Sequence, residues 1–171
     1  MQEIKKDLFE CIFDPEVDAI CITTNGHYTK AGIAVMGGGC AGEAARRWPE
    51  MPVRLGKMLR TFMSNIPFVI GAVDENGEAL ELTADLLKER KFKCLVFSYP
   101  TINNLVRGSE LGLIKQSAQV MVDYVNQYNL KKVILPRPGV GIGGLTWKEV
   151  KPEIENILDD RFVIVSFDHE E

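Results

Sequence analysis

Histidine is scarce in this chain of 171 residues, with two copies, and neither a long apolar run nor a block of one charge interrupts it. The apolar runs are strand-sized, well short of the ~18 residues that a membrane-spanning helix needs, so no membrane partner is expected. Lys and Arg number 20 against 24 Asp and Glu, a net charge of −4 that leaves no strong nucleic-acid signal. A small anionic ligand stays admissible, because backbone N–H groups bind phosphate without net positive charge. Four cysteines, Cys11, Cys21, Cys40 and Cys94, stand far apart with no CxxC pair. They read as reduced thiols of a cytoplasmic protein and argue against zinc, any other metal site and a disulfide framework. The opening MQEIKKDLFE carries charges with no apolar stretch behind them, so it does not read as a secretory leader.

Apolar residues make up 46% of the chain, which excludes intrinsic disorder. No linker or repeat divides it, and a single domain over 1–171 can bury roughly 70% of its unfolded surface. Nearly continuous apolar runs at Val17–Thr23, Phe68–Val73, Cys94–Tyr99, Lys132–Leu135 and Phe162–Phe167 predict strands buried on both faces. Gln2–Lys5 fits a short edge strand. Leu111, Ile114, Ala118, Met121, Val125 and Tyr128 mark one face of a long helix, with Ser109 as its predicted cap. Trp147, Val150, Ile154 and Ile157 mark a second helix capped by Thr146. Further helices are predicted over Ala41–Arg47, Met51–Met63 and Thr83–Arg90, with a turn at Glu75–Glu78. Strands alternating with helices imply an α/β fold, a three-layer α/β/α sandwich around a mixed central sheet.

Two glycine-rich segments follow buried strands. TTNGHYTKAGIAVMGGGCAGEAARRWP runs from Thr23 to Pro49 and enters a helix after Gly37, Gly38 and Gly39. PRPGVGIGGLTWKEV runs from Pro136 to Val150 through Gly139, Gly141, Gly143 and Gly144. Loops at the carboxyl ends of strands flank the ligand crevice of an α/β sheet, and glycines let backbone amides approach a ligand closely. A helix start adds free donors and the positive end of its dipole. Two such loops side by side make a cradle for a diphosphate. A lone loop would read equally well as a tight turn; two of one design in a small domain do not. The spacing fits neither GxxxxGK[ST] nor GxGxxG, which disfavours a P-loop NTPase or a dinucleotide dehydrogenase.

The pairing of Asn25-Gly26 with Met36–Ala41 (MGGGCA), the ending Arg47-Trp48-Pro49 and the later PRPGVGIGGLTW resemble a macro domain. The likeness is to the bacterial and phage branch that processes ADP-ribose-1″-phosphate, and it spans Asp7 to Asp168. It implies a small-molecule ligand of the ADP-ribose type. Asp7, with Leu8 beside it, falls where a carboxylate accepts from the adenine amino group, although Lys6 stands where the family has glycine. Asn25 falls at the distal ribose. Gly37, Gly38, Gly39, Cys40 and Ala41 fall in the loop along the distal ribose and neighbouring phosphate. Gly139, Val140, Gly141, Ile142, Gly143 and Gly144 fall in the loop whose amides hold the diphosphate. Phe167 falls where an aromatic stacks on adenine.

Three functions are compatible with that resemblance: hydrolysis of ADP-ribose-1″-phosphate or an ADP-ribosyl bond, non-catalytic reading of ADP-ribose, and binding of another nucleotide-like metabolite. The leaning is towards a hydrolase in which water attacks a ligand immobilised by backbone amides, a scheme that requires no metal or organic cofactor. No residue is singled out as catalytic. Some hydrolases of the family use an Asp in the second loop and a Lys at a central strand end; the matching positions are read as Gly143 and Tyr99. His27, Tyr28 and Lys30 are acid–base candidates that fit a solvated loop better. Cys40, at a helix start, is either a thiol of lowered pKa or a packed apolar side chain.

Overall fold

The computed structural model describes residues 1–166. Along the chain come β1 (Gln2–Lys5), β2 (Ala19–Thr24), β3 (Val69–Val73) and β4 (Cys94–Pro100). A two-stranded hairpin of β5 (Ile102–Asn104) and β6 (Gly108–Ser109) follows, then β7 (Val133–Pro136) and β8 (Phe162–Ser166). Six strands form a mixed sheet in the order β1-β8-β7-β2-β4-β3. Only β3 runs antiparallel to its neighbour β4; the other pairs are parallel. Every residue of β3, β4 and β8 is buried, which is why these strands read as nearly continuous apolar runs.

The helices are α1 (Gly39–Arg47), α2 (Glu50–Phe62), α3 (Ala84–Lys88), α4 (Leu111–Gln127) and α5 (Trp147–Ile154). One core cluster joins α1, α2 and the 3-10 turn Glu10–Phe13 to one sheet face; a second joins α3, α4 and α5 to the other. The alternation of side chains along β4 divides it between them: Val96 enters the first, and Leu95, Phe97 and Tyr99 enter the second. The three-layer sandwich expected from the sequence is thus the observed architecture.

Local signals explain most boundaries. Thr146 caps α5 through a reciprocal capping box with Glu149, and Thr83 caps α3 by accepting from the Leu86 amide. Asp74 accepts from the Asn76 and Glu78 amides and closes the turn expected at Glu75–Glu78. The predicted cap of α4 needs correction. Glu110 occupies that position without a side-chain bond, because Ser109 is already paired with Ile102 in the hairpin. The predicted long face of α5 also shortens, since the helix ends at Ile154, before Ile157. No helix among the described residues is long and apolar enough to cross a membrane.

Two sets of polar ties brace the sheet, one at its β1 edge and one at the start of β4. Glu3 accepts from Trp147 Nε1 and Lys151 Nζ, each at 2.7 Å. The Lys151 ammonium, above all, holds the Glu3 carboxyl below the usual range. Lys93 reaches across from the start of β4 and donates to the carbonyls of Ile12, Asp14 and Val17 at 2.8, 2.8 and 3.1 Å.

Candidate functional site

Strands β1, β8, β7, β2 and β4 all run the same way, so their carboxyl ends share one rim. The segments leaving β1, β2, β4 and β7 there enclose a cleft of about 690 Å³, a volume suited to a nucleotide-sized molecule. Asp7, Leu8, Asn25, Gly37, Gly38, Gly39, Cys40 and Ala41 all line it. So do Gly139, Val140, Gly141, Ile142 and Gly143. Gly144 is not among the lining residues; its amide donates to the Gly141 carbonyl at 2.9 Å and closes the turn behind them. Phe167 lies outside the described residues; Val165 of β8 lines the cleft.

The two glycine loops stand against each other. A Cβ placed on Gly39 would lie 3.7 Å from Cδ1 of Ile142, whose side chain is 84% exposed at the mouth. In the second loop Gly139 and Gly141 both have φ of +78°, a region that favours glycine. They differ in surroundings. A Cβ on Gly139 would come within 2.7 Å of Ile114 Cδ1, so this glycine seats the loop on α4. Nothing lies within 4 Å of a Cβ on Gly141, which faces open cleft. In the first loop Gly38 is the extended cap of α1 and offers no side-chain bond, so the first-turn amides of the helix point towards the rim without intrahelical acceptors.

Asp7 and Asn25 are each half committed. Asp7 Oδ1 accepts from the Phe9 and Glu10 amides at 2.8 and 3.2 Å, fixing the 3-10 turn, while Oδ2 has no hydrogen bond among the described residues. Asn25 Oδ1 accepts from the His27 amide at 2.9 Å, which leaves its Nδ2 as a donor. Both side chains are therefore oriented by the backbone they follow and present their second polar atom elsewhere.

The acid–base candidates from the sequence do not reach the cleft. His27 places Nε2 2.9 Å from the Asn103 carbonyl, pinning the hairpin, and Lys30 lines neither cavity. Tyr28 lines a separate cavity of about 310 Å³ with Asn65 and Met63. Tyr99 points into the α4 side of the core, donates to the Ile114 carbonyl at 2.8 Å and has its hydroxyl pKa driven up by burial. Just past the end of β4, Thr101 and Ile102 line the cleft.

Cys40 resolves in favour of packing. Burial raises its thiol pKa, against weaker lowering by Thr23, whose Oγ1 lies 3.2 Å from Sγ. Alkylation by iodoacetamide at pH 7.5 is expected to run slower than for free cysteine, because burial disfavours the thiolate. Mass spectrometry of the Cys40 peptide against time measures this; a rate equal to free cysteine would contradict the burial.

Three contributors went unread in the sequence. The hairpin β5–β6 walls one side with Ile102, Leu105 and Gly108, and the charged residues Glu43 and Arg46 of α1 line another. Arg137 lines the floor, with its guanidinium 5.1 Å over the Trp147 ring and 4.0 Å from Glu3. The Asn-Asn and Arg-Gly pairs within TINNLVRGSE were the available hint of a turn there. Among the described residues no three His, Cys, Asp or Glu side chains gather as a metal site.

No protein-family model matches the chain. Over 64 residues, 37% of the chain, it is 28% identical to a DNA ADP-ribosyl glycohydrolase of Thermus aquaticus, and it spans only 18% of that relative's length. The macrodomain of Mycobacterium tuberculosis DarG superposes with a TM-score of 0.67 at 24% identity, covering 96% of this chain and 95% of the other. The Thermus aquaticus DarG macrodomain gives 0.68 at 22% identity, covering 96% and 95%. Thermosipho africanus DarTG in complex with ADP-ribose gives 0.71 at 19% identity, covering 99% of this chain and 42% of the other. Identity this low across whole chains speaks to architecture, and with the strand order and the rim cleft it establishes that this chain has the macrodomain fold.

Proposed function

We propose that the cleft binds ADP-ribose or a close derivative. One observation supports this above the others: both glycine loops and the Asp7–Leu8 segment border a single cleft. The diphosphate lies along the Gly37–Ala41 and Gly139–Gly143 amides, where backbone donors and the α1 dipole act together. Asn25 donates to the distal ribose, and Asp7 Oδ2 accepts from the adenine amine. A relative of the same fold has been solved with ADP-ribose.

Calorimetry with ADP-ribose, ATP and NAD tests the proposal: ADP-ribose binds most tightly, and a preference for ATP or NAD would overturn it. Asp7→Asn keeps the Oδ1 acceptor that holds the turn but turns the second acceptor into a donor. It is expected to weaken ADP-ribose about tenfold, or about 1.4 kcal/mol, and leave ribose-5-phosphate unchanged. Asp7→Ala weakens ADP-ribose as well and costs about 1 kcal/mol of stability through the lost turn. Equal weakening of both ligands in Asp7→Asn would remove Asp7 from the base end.

Hydrolysis of an ADP-ribosyl bond is the second reading, and the name of the Thermus relative favours it. Water would attack the distal ribose at the end of the cleft beside Gly143. Parallel incubations with an ADP-ribosylated oligonucleotide and with ADP-ribose-1″-phosphate separate the outcomes. Free ADP-ribose from the first marks a glycohydrolase and phosphate from the second a phosphatase. Binding without either product leaves a reader.

A further inference from the structure

The backbone cradle carries no formal charge, so the cationic side chains lining the cleft decide how its ligand's anionic groups are neutralised. These are Lys6, Arg46 and Arg137. Arg137 is engaged by Glu3 and the Trp147 ring. Lys6 lies near the 3-10 turn, where its charge acts on Asp14 and Cys11. Arg46 differs from both, and from its neighbour Arg47. Arg47 sits 4.7 Å over the Phe9 ring and 3.7 Å from Glu43, whereas no carboxylate among the described residues lies within 4 Å of Arg46.

Helix phase and a glycine direct Arg46 inward. Position 46 lies one turn beyond Gly42, and side chains on a helix lean towards its N-terminus. A Cβ on Gly42 would lie 3.3 Å from Arg46 Nη1 and 2.8 Å from the Gly37 carbonyl oxygen. The bare Cα of Gly42 thus leaves room for the guanidinium to fold back over the first turn of α1, next to the loop Gly37–Gly39.

From this we infer that Arg46 is a ligand-binding residue, a mobile guanidinium that closes on the diphosphate from the open side of the cradle. The inference rests on the ADP-ribose reading and adds to it a charged, bidentate contact opposite the fixed amides. A guanidinium fork matches two phosphate oxygens in a way an ammonium cannot.

The test is calorimetric titration of ADP-ribose, ADP and adenosine into the full chain, Arg46→Ala and Arg46→Lys, at low and high salt. Arg46→Ala is expected to bind ADP-ribose and ADP about tenfold more weakly, adenosine as before, and with a shallower salt dependence. Arg46→Lys recovers part of the loss. Wild-type affinity for ADP-ribose in Arg46→Ala would overturn the Arg46 assignment while leaving the ligand intact. Equal loss for adenosine would also overturn it, since adenosine has no phosphate. Failure of the unmodified chain to bind ADP-ribose would instead remove the reading beneath it. An unchanged melting temperature is expected in both variants, because the side chain is exposed and no carboxylate among the described residues lies within 4 Å of it.

Discussion

Gly141→Glu is expected to lower affinity for ADP-ribose at least about 100-fold while the protein stays folded. Three effects act on binding together. A carboxylate would project into the space assigned to the diphosphate, since no atom lies within 4 Å of a Cβ there. It would repel the phosphates in a cleft already bordered by Asp7 and Glu43. A side chain at φ +78° also strains the turn and tilts the amides that the ligand needs. Stability falls much less, because that strain costs about 1–2 kcal/mol and no neighbour has to move. That corresponds to a loss of about 2–8 °C in melting temperature for a chain of this size. Gly141→Ala separates the contributions: it keeps the strain without the charge, and should lose about tenfold. Gly139→Ala is the contrasting control, since its Cβ would collide with Ile114 and should lower stability as well as binding. If Gly141→Glu bound ADP-ribose as tightly as wild type, the diphosphate would have to lie elsewhere.

The sequence displayed the parts of this molecule that depend on local or one-dimensional pattern. The sheet was legible because burial on both faces turns β4 into CLVFSYP, a nearly continuous apolar run. Thr83 and Thr146 announced their helices through chemistry contained within three residues. The glycine loops were legible for a similar reason: closely spaced glycines after a strand mark a backbone that something must approach. The hairpin β5–β6 gave no such signal. Its strands are three and two residues long, and it is held from far away. Asn65, 37 positions back, donates to Ile102, and His27, 76 positions back, sits on Asn103. Ser109 looked like a cap because a serine before an apolar helix usually is one; pairing with Ile102 takes it instead. Nothing in the sequence singled out Arg46 or Glu43 within the helix Ala41–Arg47. Which charged positions turn towards the cleft depends on how α1 is rotated against β2, and that is set by packing rather than by neighbours in sequence. His27 shows the same limit in reverse: its ring chemistry suits catalysis, but its place in the fold makes it a clasp.

Lys93→Met should destabilise the fold strongly without removing any cleft-lining side chain. The methionine retains most of the aliphatic stem, so packing is nearly conserved. What disappears is a cation whose three donors satisfy the carbonyls of Ile12, Asp14 and Val17. Ile12 and Val17 are buried, so water replaces those bonds poorly. A loss of about 3 kcal/mol is expected, or about 6–12 °C in melting temperature, measured by urea titration with an unchanged slope. The consequence for function follows the chain. Those carbonyls belong to the 3-10 turn and its exit, and that turn is the one Asp7 fixes through the Phe9 and Glu10 amides. Loosening it loosens Asp7, so ADP-ribose should bind about three- to fivefold more weakly at a temperature where the variant is fully folded. Ribose-5-phosphate should be unaffected, because the second glycine loop leaves β7 and is seated on α4 at Gly139. Equal weakening of both ligands would mean that Lys93 supports the whole rim, and the base end would lose its separate identity.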